Sequence, residues 1–427
     1  MHIVQALLGL AFFCGASWLL SSHRSRFPWR VVGLGLGLQL VLAFILLNTG
    51  YGISVFEWAA AMVTKMISMA SPGAEMVFGV LARPDVLGET FGPQNGFIFS
   101  FAGTGLVAII FFSALMSVLY HTGFMQLLVW CLAQLMTKVM GVSGAESMAM
   151  AANVFVGQTE APLVVKPYIA KMTLSELNAM MTGGFATIAG SVLAVYMGFI
   201  GEEYGPHLLT ASVLSAPAAF VVAKIMLPET EEPDTGGRVE LRFERTSHNL
   251  IEAAATGTSD GLKLWLNVIA MLIAFVALVN LVNWPLGALG EFIGMEETLD
   301  LNWFFGRALA PVAWIMGVEG WHDCQLFGSL LGTKVAVNEF VAFGQMIDYL
   351  PREDAGAAVT FESARSAKMA AYALCGFANF ASVGIQIGGI TPLAPERKAD
   401  LSRLALRAMV GGAFASWMTA TIAGMFL

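Results

Sequence analysis

The stretch GQTEAP, residues 157–162, places an amide, a hydroxyl and a carboxylate inside an otherwise apolar segment. A carboxylate at membrane depth costs about 3 kcal/mol on insertion scales, so such groups usually face a cavity, a pathway or a ligand. The glycine and the proline of this stretch disfavour a continuous helix. Non-helical backbone at that depth is tolerated only where it is buried in protein or lines water. The stretch therefore predicts the tip of a binding site.

The composition of the chain indicates a membrane protein. Of its 427 residues, 57% are hydrophobic and 12% are charged, and the mean hydropathy is +0.72. Soluble domains carry about 25% charged residues. Because about 20 apolar residues span a bilayer as a helix, the length can hold about eight to twelve crossings with modest loops. We predict an all-α polytopic membrane protein, and the net charge of −8 gives no sign of a nucleic-acid-binding face.

The charged loops set the expected orientation. Arg24, Arg26 and Arg30 follow the first apolar segment, and the loop 228–248 is also rich in arginine. Positive loops stay in the cytoplasm, and the acidic connection 291–300, which has no Lys or Arg, then lies outside together with both termini. The predicted spans are 3–20, 31–49, 96–119, 176–200, 207–227, 262–283, 364–390 and 404–427.

Three further helical segments carry charges or irregular patterns. Segment 53–71 is typical of a helix lying in the membrane interface. Segment 122–140 is amphipathic, and we expect it to pack along the edge of the protein. Segment 302–321 is apolar but contains an arginine and a proline. Whether 122–140 and 302–321 cross is left open, and a crossing by one of them alone would reverse the expected orientation of every later span.

Two segments, 144–170 and 324–348, are too short for two crossings and predict re-entrant hairpins. Each precedes a glycine-interrupted span, and GFATIA at 184–189 recurs there as GFANFA at 376–381, an offset of 192 residues. Three spans separate the hairpins, so they enter from opposite faces, as in the inverted repeats of secondary transporters. The expected breaks lie at Gly183-Gly184, Gly190, Gly376 and Gly384. The expected units are 1–120 (scaffold-type helices), 121–228 (first hairpin, spans four and five), 229–300 (cytoplasmic loop and scaffold span six) and 301–427 (second hairpin, spans seven and eight).

The polar residues at the interruptions suit a small, neutral, hydroxyl-rich solute. Gln158 and Thr159 can read heteroatoms on a ring edge. Glu339 can accept two hydrogen bonds from vicinal hydroxyls, and Asn379 and Ser382 lie three apart on the same helical face. The alternative is that Asn379 and Ser382 only satisfy backbone groups freed by the break. Val192 and Phe377 offer apolar faces for a flat ring.

A coupling ion is expected at the first repeat. Uncharged side-chain oxygens beside unwound carbonyls suit a hard monovalent cation. Proton coupling through Glu160 or Glu339 is the alternative, because intramembrane carboxylates also act as proton relays. The candidate cation ligands are Asn153 and Thr187, with the backbone near Val156 and Ile188.

Four stretches together resemble the concentrative nucleoside transporter family: NVFVGQTEAPLVVKPY (153–168), GGFATIAGSVLAVY (183–196), KVAVNEFVAF (334–343) and CGFANFASVGIQIGG (375–389). The resemblance extends over essentially the whole chain. It implies a homotrimer with eight transmembrane helices, interfacial helices and two re-entrant hairpins, divided into a scaffold and a mobile transport domain. For a bacterial member it implies the inner membrane, with both termini periplasmic by the charge pattern of the loops.

The resemblance also implies roles for individual residues. Gln158, Thr159 and Glu160 would address the nucleobase with Val192 as an apolar contact, and Glu339, Asn379 and Ser382 would hold the ribose with Phe377 nearby. Sodium would lie among Asn153, Val156, Thr187 and Ile188. A leucine of span six, Leu262, Leu264 or Leu266, would also line the site.

We therefore expect a sodium-coupled or proton-coupled nucleoside symporter with an elevator-like movement and no organic cofactor. A two-hairpin transporter for a dicarboxylate or amino acid is less favoured, because no arginine lies near either hairpin tip. An intramembrane hydrolase using the two glutamates as acid and base would need a nucleophile or a metal, and no motif supplies one.

Overall fold

The computed structural model describes residues 2–83, 86, 104–236, 247–295, 297–351 and 359–427. Within these ranges the chain forms helices and turns and no strand, which confirms the predicted all-α class. The helices are α1 His2–Leu19, α2 Trp29–Asn48, α3 Gly50–Phe78, α4 Thr104–His121, α5 Phe124–Met140, α6 Gly144–Asn153, α7 Ala161–Val164, α8 Lys166–Ile169, α9 Leu174–Ala186, α10 Gly190–Ile200, α11 Gly205–Met226, α12 Leu250–Phe292, α13 Leu301–Met316, α14 Trp321–Ala336, α15 Glu339–Tyr349, α16 Ala364–Leu374, α17 Phe380–Ile390 and α18 Lys398–Ala423.

Five helical segments in the described part of the chain are long and apolar enough to cross a membrane. They are α2, α3 with the turn that follows it, α9 with α10, α11, and α12. The bent pair of α4 and α5 would make six if it formed one span. Helix α3, for which an interfacial position was expected, meets the criterion for a span. The predicted number of eight crossings stays a prediction.

Several predicted segments can be located directly. Residues 96–103 of the expected third span lie outside the described ranges, and α4 accounts for the remainder of that span. Helix α5, the amphipathic segment, turns away from α4 by 76°. Helix α13 has 16 residues, which is about 24 Å and therefore shorter than a bilayer core of about 30 Å. It packs along α14, to which a short turn joins it.

In the first repeat, helices α6 and α9 both begin with a capping box. Ser143 and Glu146 bond reciprocally at the start of α6, and Thr173 and Glu176 do so at the start of α9. Such boxes satisfy the free amides of a helix start and fix where the helix begins. Helix α6 ends at Asn153, the chain stays irregular over residues 154–160, and α7 and α8 follow. Residues 144–170 are called the first hairpin and residues 324–348 the second hairpin, and their re-entrant course stays a prediction.

The break in span four lies at residues 187–189, so the predicted position at Gly183-Gly184 is wrong. Both glycines are helical, and they permit close packing instead. A Cβ on Gly183 would lie 2.6 Å from Met150 Sδ, and one on Gly184 would lie 3.0 Å from Gln158 Cβ. Gly190, also predicted, is the first residue after the break.

The second repeat has breaks at residues 337–338 and 375–379, and asparagine restarts the helix at each. Val341 N donates to Asn338 Oδ1 at 2.9 Å, and Ser382 N donates to Asn379 Oδ1 at 2.8 Å. Gly384 lies within α17, so the break predicted there is wrong; the observed break contains Gly376.

The long helix α12 is attached to the rest of the protein mainly through α4, which packs on α10. Its 43 residues correspond to about 65 Å, and the predicted span 262–283 lies within it. Among its three candidate leucines, Leu262 and Leu266 are exposed, whereas Leu264 packs against the core. Helices α1 and α2 pack on α11 and α18 instead. There the buried Gln39 Nε2 donates to Leu214 O at 3.0 Å.

The two broken spans approach each other at Gly376. This residue has φ +125°, and a Cβ there would lie 2.8 Å from the carbonyl oxygens of both Phe185 and Ala186 at the end of α9. Only glycine combines that backbone conformation with so close an approach. The breaks of spans four and seven are therefore adjacent in space.

We expect Gly376→Ala to lower the free energy of unfolding by about 3 kcal/mol, because the positive φ and the overpacking each cost about 1–2 kcal/mol. Thermal unfolding of the purified protein in detergent measures this as a fall in Tm. Gly384→Ala is the matched control, since it is helical with open space around it. Alanine should leave Tm unchanged or raise it there, and an equal fall in both variants would contradict the assignment.

Candidate functional site

A buried polar cluster lies where the second hairpin meets the broken spans. Glu339, the first residue of α15, is 3% exposed. Its Oε2 accepts a hydrogen bond from Asn379 Nδ2 at 2.7 Å, and its Oε1 accepts one from Tyr196 OH at 3.2 Å. A carboxylate at a helix N-terminus also benefits from the helix dipole. The fold thus stabilises an acidic group deep within the protein.

Asn379 has two tasks in this cluster. Its side-chain oxygen caps α17 by accepting from Ser382 N, and its nitrogen donates to Glu339. The orientation of the carboxylate is therefore tied to the start of α17. The alternative expected from sequence, in which Asn379 only satisfies freed backbone, describes one half of what it does.

The tip of the first hairpin joins the same region from the other repeat. Gln158 Nε2 donates to Ser382 Oγ at 3.1 Å, and Gln158 Oε1 accepts from Gln386 Nε2 at 3.1 Å. Gln386 Nε2 also donates to Met181 O of α9 at 3.0 Å. These bonds connect the first hairpin, α17 and α9, so both hairpins reach the start of α17.

The apolar site candidates lie in or against the core. Val192 and Phe377 are both buried within the same apolar cluster. The Thr159 side chain lies against Gly389 of α17, where a Cβ would come within 2.5 Å of Thr159 Cγ2. Thr159 is half-buried, and its methyl group rather than its hydroxyl makes this contact.

Glu160 has different surroundings from Glu339. Its Oε2 accepts from Gly157 N at 3.2 Å, and the side chain is exposed on the wall of a cavity bounded by α4 and α12. The structure brings Gln158, Ser382, Asn379 and Glu339 into one hydrogen-bonded set. It does not include Glu160 in that set.

The four candidate cation ligands are all buried at the first repeat. Thr187 Oγ1 donates to Gly183 O at 2.9 Å, and a Cβ on Gly183 would lie 3.2 Å from Asn153 Nδ2, so Asn153 and Thr187 flank the same glycine. Both side-chain polar atoms of Asn153 are buried without a hydrogen-bond partner. Val156 and Ile188 lie within the two breaks. An unpartnered amide oxygen beside non-helical backbone fits a hard monovalent cation.

Lys334 stabilises the break in span seven. The fully buried amine donates to Ala373 O at 2.8 Å, to Cys375 O at 3.3 Å and to Ser416 Oγ at 2.8 Å. Two of these acceptors lie at the C-terminal end of α16, where the helix dipole is negative and carbonyls lack helical partners. Its hydrogen bonds thus go to these groups and not to a glutamate.

Sequence reasoning missed two members of the polar set. Tyr196 donates to Glu339, and Gln386 bridges Gln158 to α9. A signal for Gln386 was present, because it follows Ser382 by four residues and Asn379 by seven, which places all three on one helical face. For Tyr196 the signal was weaker: a lone hydroxyl in an apolar helix usually finds a partner, but the sequence does not say which.

Family models match almost the whole chain. The model described as Na+ dependent nucleoside transporter C-terminus matches residues 207–424, and the corresponding N-terminus model matches 8–81. A nucleoside recognition model, Gate, matches residues 105–203. The chain belongs to the Na+-dependent nucleoside transporter family. The family resemblance found in the four sequence stretches is thereby confirmed.

Individual members of the family are similar over the full chain. An uncharacterized transporter of Haemophilus influenzae is 42% identical over 427 residues, covering 100% of this chain and 98% of that protein. Sodium/nucleoside cotransporter 1 of Rattus norvegicus is 40% identical over 425 residues, covering 98% of this chain. The chain spans 63% of the length of that cotransporter in rat, mouse and human.

Solved structures of CNTnw share the fold. An inward-facing substrate-bound state superimposes with a TM-score of 0.90 at 38% identity, covering 100% of this chain and 98% of that chain. An outward-facing variant of CNTnw gives a TM-score of 0.92 at 39% identity, again covering 100% of this chain and 98% of that one. The same fold is therefore known in states open to opposite sides.

Replacing Lys334 with methionine should lower the free energy of unfolding by about 3 kcal/mol, since it leaves buried acceptors at the end of α16 unpaired. Thermal unfolding in detergent measures the change. Lys368→Met, on α16 itself, removes an exposed amine and should stay within about 0.5 kcal/mol of the parent. Equal stability of the two variants would show that Lys334 is not needed to satisfy the break.

Proposed function

We propose that this protein is a cation-coupled symporter that carries nucleosides into the cell, with sodium as the coupling ion. The observation that carries the proposal is the enclosed Glu339 carboxylate, held by Asn379 and Tyr196 where helices from both repeats are interrupted. Membership of a Na+-dependent nucleoside transporter family supports both the substrate class and the ion. The relatives named above are transporters and not enzymes.

In this proposal the ribose binds at the second hairpin. A carboxylate with two acceptor oxygens matches two neighbouring sugar hydroxyls, and Asn379 and Ser382 lie within reach of the same group. The hydrogen bonds that Glu339 receives from Asn379 and Tyr196 can be exchanged for bonds from hydroxyls at small net cost, because both arrangements keep the buried charge solvated by donors. A ligand without vicinal hydroxyls would lose that compensation.

The nucleobase would lie toward the first hairpin. Gln158 offers both a donor and an acceptor, Thr159 and Glu160 extend the polar edge, and Val192 and Phe377 provide apolar surface for a flat ring. Because Gln158 is bonded to Ser382 and Gln386, binding a base there requires that these bonds rearrange. Leu264 is the span-six leucine whose burial best suits a contact with the base.

Sodium would bind among Asn153, Thr187 and the backbone at Val156 and Ile188. Filling the unpartnered Asn153 oxygen stabilises the first break, so ion binding would favour the arrangement of hairpin and α9 that also holds the substrate. Such shared stabilisation is how binding of one solute promotes binding of the other. The proton-coupled alternative uses the glutamates instead, and replacement of external sodium distinguishes the two.

We infer that α3, α4 and α12 form the scaffold and that the hairpins move with α9–α11 and α13–α18. The limited contact of α12 with the rest of the protein supports this division. Helices α1 and α2 pack on α11 and α18, so we place them with the moving body, although 1–120 was expected to be scaffold-type. A homotrimer in a bacterial inner membrane, with both termini periplasmic, completes the proposal. The inward-facing and outward-facing states of CNTnw support an elevator-like movement.

We expect Glu339→Gln to abolish uridine uptake into proteoliposomes, because the neutral amide presents only one acceptor oxygen to the ribose hydroxyls. Uridine binding at the Glu339 site should weaken at least tenfold, the equivalent of about 1.4 kcal/mol. Glu362→Gln changes an exposed glutamate and should leave uptake intact. Unchanged uptake by correctly inserted Glu339→Gln protein would remove the ribose assignment.

Replacing external sodium with choline at constant pH should collapse uridine uptake. Thr187→Val keeps the shape of the side chain but removes its oxygen, so half-maximal uptake should need about tenfold more sodium. Thr182→Val removes a buried hydroxyl five residues earlier in α9 and serves as the matched control. Uptake that persists without sodium and tracks an imposed proton gradient would instead support proton coupling.

A further inference from the structure

A second polar cavity lies beside the first hairpin and outside the hydrogen-bonded set of Glu339. It has a volume of about 340 Å³ and lies between α4 and α12 on one side and the first hairpin on the other. Small-molecule sites typically measure about 300–1,000 Å³. His121, which lines it, bonds through Nδ1 to Ser247 Oγ at 2.8 Å. Ser247 belongs to the predicted cytoplasmic loop, which places the cavity on the cytoplasmic side of the hairpin tip.

Two residues that line this cavity each carry a buried polar atom without a hydrogen-bond partner. These atoms are the hydroxyl of Tyr120 and the side-chain oxygen of Gln126. The amide nitrogen of Gln126 is already used, since it donates to Tyr120 O at 2.5 Å, so the orientation of the amide is fixed with its oxygen free. Buried polar groups nearly always have partners, and both side chains border the cavity, so a small rearrangement would let a ligand supply them.

Two carboxylates line the same cavity from opposite sides. Glu160 extends from the hairpin tip, and Asp260 extends from α12. Asp260 also forms an ion pair with Lys263 at 3.3 Å, in which both side chains are largely exposed. Exposed pairs of this kind contribute little energy and exchange partners readily, so the Asp260 carboxylate is available to a ligand.

We propose that this cavity is a second nucleoside-binding site. A nucleoside occupies it on the way from the hydrogen-bonded set of Glu339 to the cytoplasm. The inference rests on the proposed function and adds a site to it. Nucleosides carry hydroxyl and N–H donors that suit Glu160, Asp260 and Gln126, and acceptors that suit the hydroxyl of Tyr120. Apolar side chains, among them Met116, Phe155 and Val164, supply the walls that a flat ring needs and a bare cation does not.

Glu160 connects the two sites. It lies two residues after Gln158, which belongs to the polar set between the repeats, yet its own side chain is exposed to the second cavity. A base released by Gln158 therefore meets the next acceptor on the same hairpin tip. Since α4 and α12 belong to the inferred scaffold, Tyr120 and Asp260 receive the substrate from the moving body.

The test measures protection of a thiol in the second cavity. Thr256 lines it from α12 and is exposed, so Thr256→Cys in a Cys131→Ser background offers a single reactive position there. Maleimide labelling of the full-length protein in detergent is followed with and without uridine. Bound uridine slows labelling by a factor of one plus its concentration over Kd, so about fivefold protection is expected at four times Kd.

The decisive variant adds Glu339→Gln, which removes tight binding at the first site. Uridine should still protect the thiol in the Glu339→Gln variant. When Tyr120→Phe and Asp260→Asn are added, protection should fall below about twofold, since both changes nearly keep the shape of the side chain and remove only the ligand contacts. Lys263→Met breaks the ion pair of Asp260 but keeps its carboxylate. Uridine should therefore protect the thiol in this variant as strongly as in the parent protein. Circular dichroism and Tm confirm that each variant is folded.

Three results would overturn the inference. Loss of protection in the Glu339→Gln background would show that uridine bound at the first site causes the protection. Equal protection in the Tyr120→Phe, Asp260→Asn variant would show that uridine does not bind in this cavity. Protection by sodium alone would make the cavity a cation site. Uridine uptake by the wild-type protein is measured in parallel, so absence of uptake would reject the proposed function itself, whereas uptake without protection rejects only the second site.

Discussion

Helices interrupted inside a membrane protein must find new partners for the backbone groups that each interruption frees, and this requirement governs the structure. Four interruptions, at residues 154–160, 187–189, 337–338 and 375–379, lie in the repeat region. Asparagine side chains cap the helix that restarts after the third and the fourth. Lys334 satisfies carbonyls before the fourth. Because unsatisfied groups are so costly in this environment, these three side chains lie where the breaks free backbone groups.

The two repeats satisfy these freed backbone groups differently, and the difference supports the proposed ion site at the first repeat. Asn153-Val154-Phe155-Val156 ends the first arm of one hairpin, and Lys334-Val335-Ala336-Val337 ends that of the other. The lysine brings the donor hydrogens of its amine to the carbonyls of α16. At the matching place Asn153 is neutral and unpartnered. A mobile cation there would do for α9 what the lysine does for α16, and could leave again.

The sequence predicted the segments that contain the interruptions but only some of their positions, such as Gly376. Buried polar residues beside glycine and proline locate an irregular segment because a continuous apolar helix has no use for them. Gly183, Gly184 and Gly384 misled the assignment, since a glycine within a helix can serve close packing as well as a break. The partners of Lys334 and Tyr196 could not be inferred, because they come from segments distant in the chain and depend on how the repeats pack. The family resemblance supplied roles that spacing alone does not.

The polar set between the repeats forms a continuous connection rather than a collection of separate contacts. Glu339 bonds to Asn379, Asn379 to Ser382, Ser382 to Gln158, and Gln158 to Gln386 and so to the backbone of α9. A solute that exchanges the hydrogen bonds of Glu339 would therefore act on the start of α17 and, through Ser382, on the tip of the first hairpin. Both hairpins and both broken spans are thereby connected, which supports the proposal that they move as one unit against α4 and α12.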